Sequence, residues 1–325
     1  MDRRQLLKTL SIGGAGLALV GTGLAVITGP AKEKKAVANS EINNDEDKYT
    51  AYLIAHFLSN DQNLYYAYSR DGRNWKALNE RYPVFKPGVN LRDPFIGRAK
   101  GKFHLVHTQG WDYPVIHHYV SGNLIDWEGG PIQVVAPAFK RAWAPEWYYE
   151  ASEDIFYVYW ASINKEYNSI FYTTTRDWKD ILPEKSKLFY DLGKDDIDLT
   201  IIKKDSQYYG FHKPGSLKDN ESIGVMRSPT LNPNHPDFGF GKKSSRQITT
   251  EVIKPIEGPE VLQLIGQQKW YLYADPFYND FIAWETSDFE QFTRIAISVP
   301  HGAKHCSMLP ITEDELAALL DRYPV

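Results

Sequence analysis

The sequence predicts an all-β fold, a five-bladed β-propeller, because one pattern recurs about every fifty residues. In this pattern a strand-like run ends in Ser or Thr and is followed by turn residues and an aromatic residue. The copies are marked by Ser69, Ser121, Thr174, Ser228 and Ser287, which are 52, 53, 54 and 59 residues apart. Each copy has room for four short strands, such as the aromatic runs at 103–107, 155–160 and 270–273. That period is typical of propeller blades.

A second series of segments marks the innermost strand of each predicted blade. These segments stand just before the first apolar run of a copy and read Arg92-Asp93-Pro94, Trp143-Ala144-Pro145-Glu146, Ile197-Asp198-Leu199, Glu257-Gly258-Pro259 and Lys304-His305-Cys306. The innermost strands of a propeller surround one axis. We therefore expect five side chains to point at one axial cavity: Asp93, Glu146, Asp198, Glu257 and His305, which are 53, 52, 59 and 48 residues apart.

The two ends of the folded sequence predict how the ring closes. Residues 52–78 supply outer strands with no innermost strand before them, whereas 305–312 form an innermost strand with little chain after it. One blade is therefore expected to combine strands from both termini, which removes free strand edges.

The first 38 residues differ from the rest and are predicted to be a twin-arginine-type export signal. Arg3-Arg4 precedes an apolar stretch at 10–29, and Ala36-Val37-Ala38 offers a small-residue cleavage site. Cleavage would release a periplasmic or extracellular protein, whereas an uncleaved stretch would serve as a membrane anchor, and the sequence leaves both open. Residues 39–48 are polar and acidic and are predicted to be a linker, so that the propeller domain spans 49–325.

The composition limits the function. The net charge is -4, which argues against a nucleic-acid binder that uses a basic patch. Aromatic residues make up 14% of the chain and suit either strand-rich cores or surfaces that bind carbohydrate. Cys306 is the only cysteine, so no intramolecular disulfide can form.

Carboxylates that converge on one cavity favour acid and base chemistry. Like charges repel, so the pKa of some of them must rise, and two carboxyl groups with separated pKa values can serve as proton donor and proton acceptor. Such a pair suggests glycoside hydrolysis, in which an acid protonates the leaving oxygen while a second carboxylate acts on the anomeric side.

The ordered motifs resemble those of glycoside hydrolase family 43. The series Arg-Asp-Pro, Trp-Ala-Pro, Ile-Asp, Glu-Gly-Pro and a late Lys-His covers the chain from about residue 49 to its end. Members of that family are five-bladed propellers that act on glycans containing arabinose, xylose or galactofuranose. The resemblance implies an inverting single-displacement mechanism, in which base and acid are separated by roughly 6.5–9.5 Å so that a water molecule fits between them.

The resemblance also implies roles for individual residues. Asp93 would be the general base, Asp198 would orient the acid and tune its pKa, and Glu257 would be the general acid. His305 matches the family's axial histidine, which often helps to hold a central calcium ion or water cluster. Here the motif is Lys304-His305-Cys306 rather than the usual Arg-His-Gly, so a structural calcium stays open, and no cofactor is required.

Four residues are expected to bind substrate: Arg92, Trp143, Glu146 and His305. The aromatic face of Trp143 could stack on a sugar ring. Glu146 could bind sugar hydroxyls at the rim, but an acid in that blade could equally pair with Arg92 or Arg141.

The sequence therefore predicts an exported, exo-acting glycosidase, an α-L-arabinofuranosidase or a related furanosidase or xylosidase, that acts on an oligo- or polysaccharide. One alternative is a propeller that binds glycans without cleaving them, although such a protein has no need of all three of Asp93, Asp198 and Glu257. Another is a five-bladed fructan-cleaving enzyme. Those enzymes are retaining and need an Asn-Asp-Pro nucleophile, whereas the nearby match here is Asn60-Asp61-Gln62.

Overall fold

The computed structural model describes residues 48–136, 141–215, 222–241, 243–248, 255–277 and 280–325. Within these ranges the chain forms twenty strands in five four-stranded antiparallel sheets, followed by one α-helix. The predicted export signal at 1–38, and the linker up to residue 47, lie outside the described residues. No helix in the described ranges is long and apolar enough to cross a membrane.

Each sheet is one blade. The closing blade contains β1 (Tyr49–Leu58), β2 (Tyr65–Ser69) and β3 (Lys76–Ala77). The first full blade contains β4 (Arg92–Ala99), β5 (Lys102–Thr108), β6 (Val115–Ser121) and β7 (Glu128–Gln133). The second contains β8 (Trp143–Glu150), β9 (Ile155–Asn164), β10 (Tyr167–Thr175) and β11 (Lys187–Tyr190).

The remaining blades repeat this arrangement. The third full blade contains β12 (Asp196–Lys204), β13 (Gln207–Pro214), β14 (Gly224–Ser228) and β15 (Arg246–Gln247). The fourth contains β16 (Ile256–Gln263), β17 (Trp270–Pro276), β18 (Ile282–Thr286) and β19 (Thr293–Ile295). The chain ends with β20 (Ala303–Thr312) and α1 (Glu313–Arg322).

The predicted five-bladed propeller, closed by strands from both ends of the sequence, is confirmed. Strand β20 pairs antiparallel with β1 and so becomes the innermost strand of the closing blade. The innermost strands β4, β8, β12, β16 and β20 contact one another in ring order. Thr312 caps α1 in a capping box with Glu315, whose carboxylate also forms an ion pair with Arg98 of β4 at 2.8 Å.

The recurring Ser or Thr builds the turn after the third strand of a blade. Ser69 Oγ accepts hydrogen bonds from the backbone N–H groups of the two residues that start the turn, Asp71 and Gly72. In two blades the residue that accepts these turn hydrogen bonds lies one position away from the predicted one. Thr175 and Thr286 are buried and accept them, whereas the predicted Thr174 and Ser287 are exposed. Side chains alternate across a strand, so only the buried neighbour can hold the turn.

Candidate active site

A cavity of about 480 Å³ lies where the innermost strands begin. It is lined by six of the seven predicted site residues: Arg92, Asp93, Trp143, Asp198, Glu257 and His305. The structure thus brings the three predicted catalytic carboxylates together in one place, although they are far apart in sequence. Glu146 is the predicted site residue that does not line the cavity.

The backbone at the start of each innermost strand turns these side chains toward the axis. At this point in each blade one residue has a left-handed φ, and the five are Asp93 (49°), Ala144 (42°), Asp198 (56°), Gly258 (56°) and His305 (33°). In each of the four full blades the strand pairing shifts at this residue. Such a bulge re-aims side chains and is found near active sites. Non-glycine residues at this φ are strained, so the surrounding fold must hold them there.

Asp93 and His305 form an ion pair inside the cavity. His305 Nδ1 lies 3.4 Å from Asp93 Oδ1, and both side chains are largely buried. Burial alone would lower the pKa of His305, but the carboxylates of Asp198, Asp93 and Glu257 outweigh it, and the net pKa is raised. The surrounding acids therefore favour the charged form of His305, which offsets negative charge in the site.

Asp198 is fixed by the backbone of the neighbouring blade. Its Oδ2 accepts a hydrogen bond of 3.0 Å from the N–H of Gly258, the residue directly after Glu257. Burial raises the pKa of Asp198, while His305 and this hydrogen bond oppose the rise. The contact ties the start of β12 to the Glu-Gly-Pro segment, so Asp198 and Glu257 are positioned by the same few atoms.

Glu257 has the electrostatics of a proton donor. Burial, followed by the nearby charge of Asp198, raises its pKa to about 8. A carboxyl group with this pKa keeps its proton at neutral pH. It can then protonate a leaving oxygen, which an ordinary exposed carboxylate cannot do at that pH.

Glu146 lies below the cavity rather than at its rim. It is two residues beyond Ala144, and the residues at the same place in the other blades are Phe95, Thr200, Glu260 and Ser307. Glu146 is 5% exposed and accepts a 3.3 Å hydrogen bond from Tyr159, and Glu260 is 4% exposed and accepts one of the same length from Thr200. Burial raises the pKa of Glu146 and raises that of Glu260 to about 8. Neither alternative proposed for Glu146, rim binding or pairing with Arg92 or Arg141, is what the structure shows.

The other two predicted binding residues stand at the side of the cavity. Arg92 has its guanidinium carbon 5.0 Å from the ring centre of Phe57 and 5.6 Å from that of Trp111. Trp143 packs at 5.0 Å against Trp111 in an edge-to-face arrangement. Trp111 was missed because nothing in Gly110-Trp111-Asp112 repeats between blades.

Two buried charged groups near the cavity were not among the predicted site residues. Asp275 lies opposite Glu257 in the β16–β17 pair, accepts a hydrogen bond from the N–H of His305, and forms an ion pair with Lys304 at 2.7 Å. Lys213 lines the cavity and donates to the carbonyl groups of Pro214 and Gly215. A lysine or aspartate near a strand end is common on surfaces, so only the closed ring reveals that these are buried.

The described side chains do not form a protein cage for calcium. No group of three His, Cys, Asp or Glu residues within the described ranges is placed to hold a metal ion. His305 is paired with Asp93, and its ring packs against Gly258. Calcium takes about six to eight oxygen ligands, and the described side chains do not supply such a set. The axial calcium therefore stays a prediction.

A family model and a curated relative match this chain. The model of family-43-related glycosyl hydrolases, described as "Probable glycosyl hydrolase domain", matches residues 47–317. An α-L-arabinofuranosidase of Bifidobacterium longum subsp. longum is 24% identical over 220 residues, which is 54% of this chain and 20% of that protein. The match therefore spans only about a fifth of the relative's length.

Solved structures share the fold. The endo-arabinase of Bacteroides thetaiotaomicron VPI-5482 is 15% identical with a TM-score of 0.53, and the match covers 68% of this chain and 94% of that one. A GH43_1 enzyme of Xanthomonas citri, solved with xylotriose, is 12% identical with the same TM-score of 0.53 and covers 70% and 89%. At these identities the likeness concerns the propeller alone. Since the family model covers most of the chain, the protein belongs to the family-43-related glycosyl hydrolases.

Proposed function

We propose that this glycosyl hydrolase releases terminal sugars, α-L-arabinofuranosyl or related furanosyl or xylosyl units, from oligo- or polysaccharides with inversion of configuration. The observation that carries the proposal is the convergence of Asp93, Asp198 and Glu257 on one cavity, with Glu257 kept protonated. The arabinofuranosidase relative supports the choice of sugar, within the short match that it offers.

In the proposed reaction a water molecule attacks the anomeric carbon while the bond to the leaving oxygen breaks. Asp93 accepts a proton from the attacking water, and Glu257 donates its proton to the leaving oxygen. Asp198, held by the N–H of Gly258, orients Glu257 and raises its pKa by its charge. His305, whose Nδ1 lies 3.4 Å from Asp93 Oδ1, keeps Asp93 in place.

Removal of terminal rather than internal sugars is supported by the closed floor of the cavity. The layer of Phe95, Glu146, Thr200, Glu260 and Ser307 lies below the carboxylates, and the last four of these residues are buried. A substrate therefore enters from the open side, and this arrangement suits a terminal ring that lies innermost.

The proposal of export rests on the N-terminal sequence alone. We propose that the twin-arginine-type segment directs the enzyme to the periplasm or the outside of the cell, where polysaccharide fragments are available. Fractionation of cells that express the full chain, with and without Arg3-Arg4 replaced by lysines, tests this proposal. An enzyme found in the cytoplasm in both cases would contradict it.

A substrate screen tests the activity. The purified protein is incubated with nitrophenyl glycosides and with arabinan and xylan oligosaccharides, and the products are separated by chromatography. Release of a monosaccharide alone is expected, and it should disappear in Asp93→Asn and in Glu257→Gln. Glu128→Gln, an exposed acid on β7, serves as the control and should keep full activity. Near-normal turnover in either cavity variant, or glycan binding without any turnover by the wild type, would overturn the proposal.

A further inference from the structure

Trp111 is a large apolar side chain left exposed at the cavity. The residue is 64% exposed, yet it lines the same cavity as the buried carboxylates. Its backbone carbonyl accepts a hydrogen bond of 2.9 Å from Nε1 of Trp143, which fixes the loop between β5 and β6. An exposed indole on a fixed loop is a preformed apolar surface beside the site.

The two tryptophans are not equally available to a ligand. The guanidinium of Arg141 lies 3.9 Å from the ring centre of Trp143 and so covers one of its faces. The rings of Trp111 and Trp143 meet at 82°, so Trp143 supports Trp111 by an edge-to-face contact. The stacking role expected for Trp143 therefore fits Trp111 better.

Polar groups held in fixed positions line the same cavity. Asp195 Oδ1 accepts two hydrogen bonds of 2.9 Å from Asn168, one from its backbone N–H and one from its side chain. Asn168 Oδ1 in turn accepts a hydrogen bond from Arg141 at 3.1 Å. An aromatic face beside fixed amide and carboxylate groups suits a sugar ring, which has apolar C–H faces and hydroxyl groups at its edge.

The exposure of these residues indicates which sugar unit of the substrate they would contact. Asp198 is 6% and His305 is 7% exposed, so the reacting ring lies deep, whereas Trp111 lies at the open end. Because the floor is closed, the rest of the substrate leaves through the open end of the cavity, where Trp111 lies. We propose that Trp111, with Asn168 and Asp195, binds the first sugar of the leaving glycan, an inference that rests on the proposed removal of terminal sugars.

The enzyme is then selective for the group to which the terminal sugar is attached. A sugar leaving group gains the contact with Trp111, whereas a leaving group without a ring cannot. The substrates are therefore oligo- or polysaccharides whose second unit is a ring with an apolar face, rather than simple glycosides of small alcohols.

Two substrates with the same terminal sugar and different leaving groups test this assignment. For an arabinofuranosyl enzyme they are arabinotriose and α-L-arabinofuranosyl fluoride, whose fluoride cannot stack. Trp111→Ala should lower kcat/KM for arabinotriose about tenfold, chiefly through KM, because a sugar–aromatic contact is lost. It should leave the fluoride within about twofold of wild type. Trp111→Phe should recover part of the loss, and Tyr113→Ala is the control, since Tyr113 is 46% exposed in the same region but does not line the cavity.

A binding measurement makes the result independent of turnover. Calorimetry with arabinotriose is carried out on Glu257→Gln with and without Trp111→Ala, and about tenfold weaker binding is expected in the double variant. Equal losses on both substrates, or no loss on arabinotriose, would overturn the assignment while leaving the glycosidase proposal intact. If the wild type cleaves neither these nor the matching xylosyl pair, the proposed function fails and the role of Trp111 fails with it.

Discussion

The backbone N–H of Gly258 donates a hydrogen bond of 3.0 Å to Oδ2 of Asp198. Gly258 has a φ of +56°, and a Cβ placed on it would lie 3.2 Å from Cγ of His305. The Gly of the Glu-Gly-Pro motif thus serves two purposes, since it presents the N–H to Asp198 and leaves room for His305. This one residue connects three of the five innermost strands.

Gly258→Ala should therefore damage both stability and activity. The positive φ costs about 1–3 kcal/mol for a residue with a Cβ, and the new methyl group must displace His305 or the N–H that holds Asp198. We expect kcat to fall more than tenfold together with the midpoint of thermal unfolding. Gly101→Ala is the matched control, because Gly101 has a φ of +71° with nothing within 4 Å of its Cβ position. It should lose stability but keep kcat, and the account is contradicted if the two variants behave alike.

The pH dependence of activity should have its alkaline limb near pH 8. Glu257 must be protonated to donate, and its pKa is raised to about 8. We expect kcat/KM to fall about tenfold per pH unit above this point. The pKa of this limb is measured from a pH–rate profile, with a substrate whose binding does not depend on pH. A limb below pH 6, or constant activity up to pH 10, would show that Glu257 is not the donor.

The same group should make the folded protein less stable as the pH rises from 4.5 to about 8. The folded carboxyl keeps its proton up to about pH 8, whereas the unfolded one loses it near the ordinary value of 4.5. Stability is therefore lost as the pH rises between these values. Glu257→Gln removes this titration, so its unfolding midpoint should exceed that of the wild type at pH 8 and approach it at pH 4. Thermal unfolding of both proteins is measured across this range. If the midpoints of Glu257→Gln and wild type differ by the same amount at pH 4 and at pH 8, the raised pKa is contradicted.

Glu260 should stabilise the floor of the cavity. Its carboxyl group accepts hydrogen bonds of 3.3 Å from Thr200 on β12 and from the N–H of Met308 on β20. Glu260→Ala leaves a cavity and an unpaired buried N–H, and we expect a loss of about 2–4 kcal/mol in the free energy of unfolding. Glu260→Gln can keep both contacts and should stay close to wild type near pH 6. Denaturant unfolding compares the variants, and similar losses in both would show that the hydrogen bonds do not matter.

Much of this fold could be read from the sequence because a propeller repeats itself. The spacing of the turn residues and of the axial motifs predicted the blades and the shared closing blade. It also predicted that residues as distant as Asp93 and His305 meet, which the structure shows. Side-chain period and repeat length are local properties, so one chain suffices to reveal them.

The register within the innermost strands was harder to predict. The sequence spacing places Glu146 and Glu257 level with Asp93, whereas the equivalent residues by backbone conformation are Ala144 and Gly258. A better signal was present, since Pro94, Pro145 and Pro259 each follow the residue with positive φ. Trp111 could not be found in this way, because a loop outside the repeat has no periodic pattern and its exposure depends on the assembled ring.

The stereochemistry of the first product tests the central claim most directly. Proton NMR of the wild-type reaction within its first minutes, before the free sugar mutarotates, distinguishes the two anomers. A single displacement by water, with Asp93 as base and Glu257 as acid, predicts the inverted anomer as the first product. The retained anomer would require a covalent intermediate on one of these carboxylates and would contradict the account.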